Sequence, residues 1–137
     1  TLSAANSLLD IRYRGSKIND DDLAILEQYA NYITWLNLSD CQLGLEQLQI
    51  VSKMKNLTRL YLQKNPINSK ALKPLLELKH LEILNLHSTN VDNEIFDLIS
   101  SFDNLKKVFL WNTRLTSKDI LKKANQSENI ELIGGLE

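Results

Sequence analysis

A pattern that returns every 24 residues constrains this chain more than any other feature. Aligned on LxxLxLxxNxL, four segments fall into register: Ile33 to Leu43 (ITWLNLSDCQL), Leu57 to Ile67 (LTRLYLQKNPI), Leu81 to Val91 (LEILNLHSTNV) and Leu105 to Leu115 (LKKVFLWNTRL). Their starts are each 24 apart. An earlier segment, Leu8 to Ile18 (LLDIRYRGSKI), fits with Tyr13 in the third apolar slot, and Ile130 to Gly135 (IELIGG) reads as a truncated last strand. Apolar and polar residues alternate at the centre of each segment, the period-2 signature of a short strand with one buried face. Leu36/Leu38, Leu60/Leu62, Leu84/Leu86 and Val108/Leu110 are the inward residues. Stacking such strands one period apart predicts a parallel sheet.

Between the strands the apolar spacing becomes helical: Leu23/Leu26/Tyr29, Leu48/Val51/Met54, Leu72/Leu75/Leu78 and Phe96/Ile99/Phe102. Side-chain acceptors for free first-turn amides precede these stretches at Asn19, Asn68-Ser69, Asp92-Asn93 and Thr116-Ser117. The run Asp20-Asp21-Asp22 resembles a metal cluster, but carboxylates in a helix's first turn are also favoured by its dipole. Pro74 should leave the third helix short, kinked or late in starting, since it cannot donate and clashes with the preceding turn. The ninth position of each segment holds Ser16, Cys41, Asn65, Thr89 and Thr113. We read these as a structural ladder, small side chains that hydrogen-bond unpaired backbone groups in a buried turn. Cys41 then has a packing role, the alternative being a reactive thiol, although nothing near it in sequence lowers its pKa.

The 137 residues suffice for one domain that buries roughly two thirds of its unfolded surface. With 43% hydrophobic and 24% charged residues, the composition argues against long disordered stretches. Sixteen basic and 17 acidic residues give a formal charge of -1, so nothing global points to nucleic acid or an acidic membrane. One cysteine excludes an internal disulfide and a cysteine-based metal site without fixing the compartment. No apolar run reaches the roughly 18 residues of a membrane helix. The start at Thr1 without Met suggests an excised or processed piece.

LxxLxLxxNxL at a fixed period, with Thr or Cys at the Asn position and a helix after each strand, resembles leucine-rich repeats of the ribonuclease-inhibitor-like kind. The likeness runs from about Leu8 to Gly135. It implies an α/β fold of the solenoid type, a horseshoe segment with a parallel sheet on the concave face and short helices on the convex face. The whole chain, 1–137, then forms one domain, with repeats at about 8–32, 33–56, 57–80, 81–104 and 105–129 and a partial last strand at 130–135. More narrowly, LTRLYLQKNPI, LEILNLHSTNV and LKKVFLWNTRLT look like the C-terminal repeats of bacterial planctomycete-type cytochrome c membrane proteins. That resemblance implies a periplasmic or otherwise extracytoplasmic domain of a larger exported protein; without it a cytoplasmic location stands open. The family's frequent Thr-Asp-Gly turn is replaced by Asn68-Ser69-Lys70 and Asp92-Asn93-Glu94.

Outward strand residues should form columns across the sheet: Asp10, Trp35, Arg59, Ile83, Lys107; Arg12, Asn37, Tyr61, Asn85, Phe109; and Arg14, Ser39, Gln63, His87, Trp111. Both tryptophans fall here, and outward aromatics on an uncovered face need a reason. Arg12, Arg14, Trp35, Arg59, Tyr61, Asn85, His87, Phe109 and Trp111 are the expected ligand-facing residues, Trp, Tyr and Arg being the types enriched at binding hot spots. Alternatively the aromatics only pack across neighbouring strands. Arg12, Arg14, Arg59, Lys64, Lys106 and Lys107 make the sheet side mildly basic, whereas Asp20 to Asp22, Glu27, Glu77, Glu94, Asp97 and Asp103 lie on the helix side.

His80 and His87 are placed so as not to share a face, and no HExxH, GxSxG or phosphate-cradling glycine loop occurs. The expectation is a non-enzymatic module with no catalytic residue, metal or cofactor. Its partner is a protein or a polysaccharide, not nucleic acid, with a membrane reached only through some other segment of a parent protein. The rival is a structural spacer docked against neighbouring domains, for which residues 1–7 leave the first repeat poorly covered.

Overall fold

A computed structural model describes residues 9–13 and 15–134. Leu8, Arg14, Gly135 and residues 1–7, which carry several of the expectations above, lie outside the described residues. Six short strands form one sheet: β1 (Leu9–Arg12), β2 (Ile33–Asn37), β3 (Arg59–Tyr61), β4 (Ile83–Asn85), β5 (Lys107–Phe109) and β6 (Glu131–Ile133). They lie side by side in chain order and all run parallel, with helical segments between them, so the fold is α/β. From β2 to β6 the paired residues are 24 apart, as in Trp35 beside Arg59, Leu60 beside Leu84 and Asn85 beside Phe109. Between β1 and β2 the step is 25, Asp10 beside Trp35, and the extra residue shows as an irregularity between Leu9 and Asp10.

The inward side of the sheet is uniform. Leu36, Leu60, Leu84 and Val108, then Leu38, Leu62, Leu86 and Leu110, are fully buried and belong to one apolar core reaching from Ile18 to Ile120. Each strand is short because the chain leaves it by a left-handed turn. The eighth position of successive segments has positive φ: Gly15 at 78°, Asp40 at 55°, Lys64 at 60°, Ser88 at 56° and Asn112 at 54°. Gly, Asn and Asp take this conformation readily, whereas Lys64 and Ser88 take it at a steric cost. The amides of these residues hold the turns together sideways: Gly15 N donates to Ser39 O, Asp40 N to Gln63 O, Lys64 N to His87 O and Ser88 N to Trp111 O.

The ninth position carries the ladder, with Asn65 at its centre. Buried in the turn, its carbonyl accepts from Cys41 N (3.0 Å) and Leu43 N (3.1 Å), and its amide donates to Leu38 O, Leu62 O and Gln63 O. Thr89 and Thr113 donate to the carbonyls of Leu86 and Leu110. The Cys41 thiol, fully buried, donates to Tyr13 O and Ser39 O. Burial pushes its pKa up, against the lowering effect of the Ser16 and Gly15 backbone. Ser16 departs from the expected ladder: it is exposed, because no described residue stacks on the outer side of the turn after β1.

Helical segments return the chain: α1 (Asp20–Gln28), α2 (Leu45–Val51), a 3-10 helix (Lys70–Glu77), α3 (Glu94–Ser100) and α4 (Ser117–Ala124). Asn19 caps α1 by accepting from Asp22 N at 2.8 Å, with Asp20, Asp21 and Asp22 in the positive first turn. Thr116 and Asp119 form a reciprocal cap on α4. At Pro74 the outcome differs from a short or kinked α-helix. The segment keeps its eight residues but tightens to 3-10 geometry, with bonds such as Leu78 N to Leu75 O at 2.9 Å. A proline ring that would strike a carbonyl one α-turn back is thereby accommodated. Among the described residues no helix is long and apolar enough to cross a membrane.

Candidate functional site: the outward face of the sheet

Alternation along each strand sends every second side chain to the face opposite the core. Two aromatic groups form there. On the first three strands the Arg12 guanidinium carbon lies 4.3 Å from the centre of the Trp35 ring, and Trp35 meets Tyr61 edge to face with centroids 5.5 Å apart. Toward β5, Trp111 makes edge-to-face contacts with His87 (5.3 Å) and Phe109 (6.1 Å). Ile83 and Asn85 of β4 separate the groups. The sequence-expected patch is thus two clusters on one face, with Arg59 exposed beside Trp35 in the register. Trp111 is the most open ring, 38% exposed.

Not every expected residue is free to meet a ligand. Asn85 Oδ1 accepts from His87 N at 3.0 Å and so closes the turn after its own strand, as Asn37 does with Ser39 N. Two of the cations thought to make this side basic are neutralised: Lys106 pairs with Glu82 (3.1 Å) and Lys107 with Glu131 (3.4 Å). Arg14 lies outside the described residues. His87 has its pKa lowered, first by partial burial and then by the positive charge of Lys64. His80 sits apart, exposed in the turn before Leu81.

Two polar atoms were not singled out from sequence. Trp35 Nε1 and Gln63 Oε1 are buried with no hydrogen-bond partner among the described residues. The turn trio of His87, Ser88 and Asn112 was also missed. Asn112 Nδ2 donates to Ser88 Oγ at 2.7 Å, and that hydroxyl lies 3.3 Å from His87 Nε2. The signal available for the trio was the eighth position, where Asn112 and Gly15 betray a left-handed turn.

Several hollows lie on the helix side. One, of about 480 Å3, is lined by Ser69, Lys73, Leu76 and Leu98 among others; another, of about 260 Å3, by Phe96, Ile99, Ile130 and Leu132 among others. The first of these is also lined by Lys70, Glu94, Asp97 and Ser101. No group of three His, Cys, Asp or Glu side chains able to hold a metal ion occurs among the described residues. No protein-family model matches this chain, and no curated protein is significantly similar to it.

Proposed function

We propose that the chain is a leucine-rich-repeat solenoid, a horseshoe segment of the ribonuclease-inhibitor-like kind. In this reading it is a non-enzymatic module that binds a protein or glycan partner through its concave sheet face. The repeat architecture is supported by parallel pairing of positions 24 apart and by the turn ladder through Cys41, Asn65, Thr89 and Thr113. The binding role is carried by one observation, two aromatic clusters, one of them with an arginine, on the sheet face opposite the core. Large rings left half-exposed cost solvation free energy unless something covers them part of the time. On the resemblance to the repeats of planctomycete-type cytochrome c proteins, the module would belong to an extracytoplasmic part of a larger protein; without that resemblance a cytoplasmic location stands open.

A triple variant, Trp35→Ala/Tyr61→Ala/Trp111→Ala, tests this reading against displayed peptides and arrayed glycans, with denaturant unfolding in parallel. Binding should be lost while the chain stays folded. Ligands held unchanged by the variant, with stability reduced, would assign the rings to packing alone.

A spacer role is favoured by the partial burial of Leu132 and Ile133 on β6, the last described strand, where a neighbouring domain could complete the sheet.

A further inference from the structure

We infer that the partner of the sheet face is an acidic peptide segment, bound extended across the strands, with carboxylates over β1 to β3 and an apolar side chain seated against Phe109 and Trp111. The inference rests on the binding role proposed above and narrows it to one class of ligand.

The distribution of ion pairs carries the argument. Lys53 pairs with Glu27, Lys55 with Glu77, Lys79 with Asp103, Lys106 with Glu82 and Lys107 with Glu131. Arg12, Arg59 and Lys64, on or beside the sheet face, have no carboxylate partner among the described residues. Within the face the contrast is local: the cations at β1 and β3 are left unmatched, while Lys107 on β5 is matched by Glu131. Asp10, exposed on β1, is a negative charge at the margin of this stretch and marks where the anionic part of a ligand ends.

Arg12 sharpens the chemistry. Its guanidinium lies over the Trp35 ring, an arrangement that fixes the plane of the group while leaving N–H donors at its edge. A carboxylate matches that fork in two hydrogen bonds. The same stacking occupies one face of Trp35, which a sugar ring would otherwise use, and so favours a peptide over a glycan. The second cluster holds no arginine and offers Trp111 as its open ring. Strands ~4.8 Å apart put β3 about 10 Å from β5, which an extended chain spans in about three residues. The partner therefore carries Asp or Glu with an aromatic or aliphatic residue about three positions away.

Selection of random displayed peptides of about ten residues, long enough at ~3.3 Å per residue to cross the sheet, tests this directly. Peptides enriched on the natural chain should show that pattern and should bind more weakly as salt is raised to about 0.5 M. Arg12→Gln/Arg59→Gln/Lys64→Gln should weaken them at least about tenfold, the loss of roughly one charge-assisted contact. Arg59→Gln/Lys64→Gln, which keeps Arg12 on Trp35, should retain part of that loss and guards against a folding artefact. Acidic peptides that bind the Gln variants as tightly as the natural chain overturn the inference, as does enrichment of neutral or basic sequences. If those neutral sequences still depend on Trp35, Tyr61 and Trp111, the binding role stands and only the charge assignment falls. Tighter retention of a sulfated polysaccharide than of any selected peptide replaces the peptide with a glycan. No enrichment, with an empty glycan array, overturns both readings.

Discussion

On the buried side of the sheet, Leu36, Leu60, Leu84 and Val108 stand in a row, each fully buried. One residue earlier, facing the other way, the row reads Asp10, Trp35, Arg59, Ile83, Lys107, Glu131. Both rows belong to the same strands and the same hydrogen-bond ladder, so backbone geometry cannot account for the contrast. Surroundings do. A side chain pointing inward must fit an interior packed at crystal density, where the neighbours one strand away have the same shape. A side chain pointing outward meets water or a ligand and is held to no common size. Sequence variation along the outer row is the freedom that a recognition surface needs, and the inner row is what makes that freedom safe.

The largest effect should come from the most over-determined position of the inner set. Asn65→Ala removes an acceptor for Cys41 N and Leu43 N and a donor to three carbonyls, at a residue only 2% exposed. Orphaned buried backbone groups cost about 1 to 3 kcal/mol each, and partial relaxation leaves an expected loss of about 4 kcal/mol in urea unfolding. Trp35→Ala on the outer face gives up one cation–π contact and one edge-to-face pair, an expected loss of about 1 kcal/mol. If the two losses come out equal, the face is structural and the contrast fails.

How much of this was legible in the sequence follows the same divide. Parallel strands at a 24-residue step, their inward leucines and the caps at Asn19 and Thr116 could all be read from spacing, because periodic burial imposes periodic sequence. Ser16 reads as a ladder member and is exposed instead, since Cys41 and Asn65 reach back to the preceding turn and no described residue supplies one for Ser16. The 3-10 form of Lys70–Glu77 could not be read either; Pro74 forbids α geometry without dictating what replaces it. On the face, the aromatic columns were legible but their grouping was not. Side-chain pairing such as Arg12 with Trp35 is diagonal, and Lys107 is neutralised by Glu131, a residue outside the three aligned columns.

The turns give a smaller test of opposite sign. Lys64 holds φ at 60°, a conformation that a side chain disfavours by about 1 to 2 kcal/mol. Lys64→Gly relieves that strain and loses part of it again to the entropy of the unfolded chain, for an expected gain of about 0.5 kcal/mol. On the acidic-ligand reading the same substitution weakens peptide binding. Stability and binding should therefore move in opposite directions, and a joint rise would remove Lys64 from the recognition surface.

The smallest expected effect concerns pH, and it separates the two faces by a property the buried row lacks. His87 is held below its ordinary pKa of 6.5, mainly by partial burial and then by repulsion from Lys64. An unfolded chain takes up a proton at the ordinary value, while the folded chain resists it. The stability this contributes is present above about pH 6.5 and is lost as the pH falls through the lower, folded value. Unfolding midpoints should therefore drop slightly across that window. Lys64→Gln removes the repulsion, so the His87 ring protons should titrate at a higher pH and the drop should shrink. A bound carboxylate acts in the same direction by favouring the imidazolium. An acidic peptide should consequently raise the titration point of His87 in the natural chain and bind more tightly as the pH falls. A titration point unmoved by both the substitution and the peptide would mean that His87 senses only its burial beside Trp111, and would confine the charged part of the surface to Arg12 and Arg59.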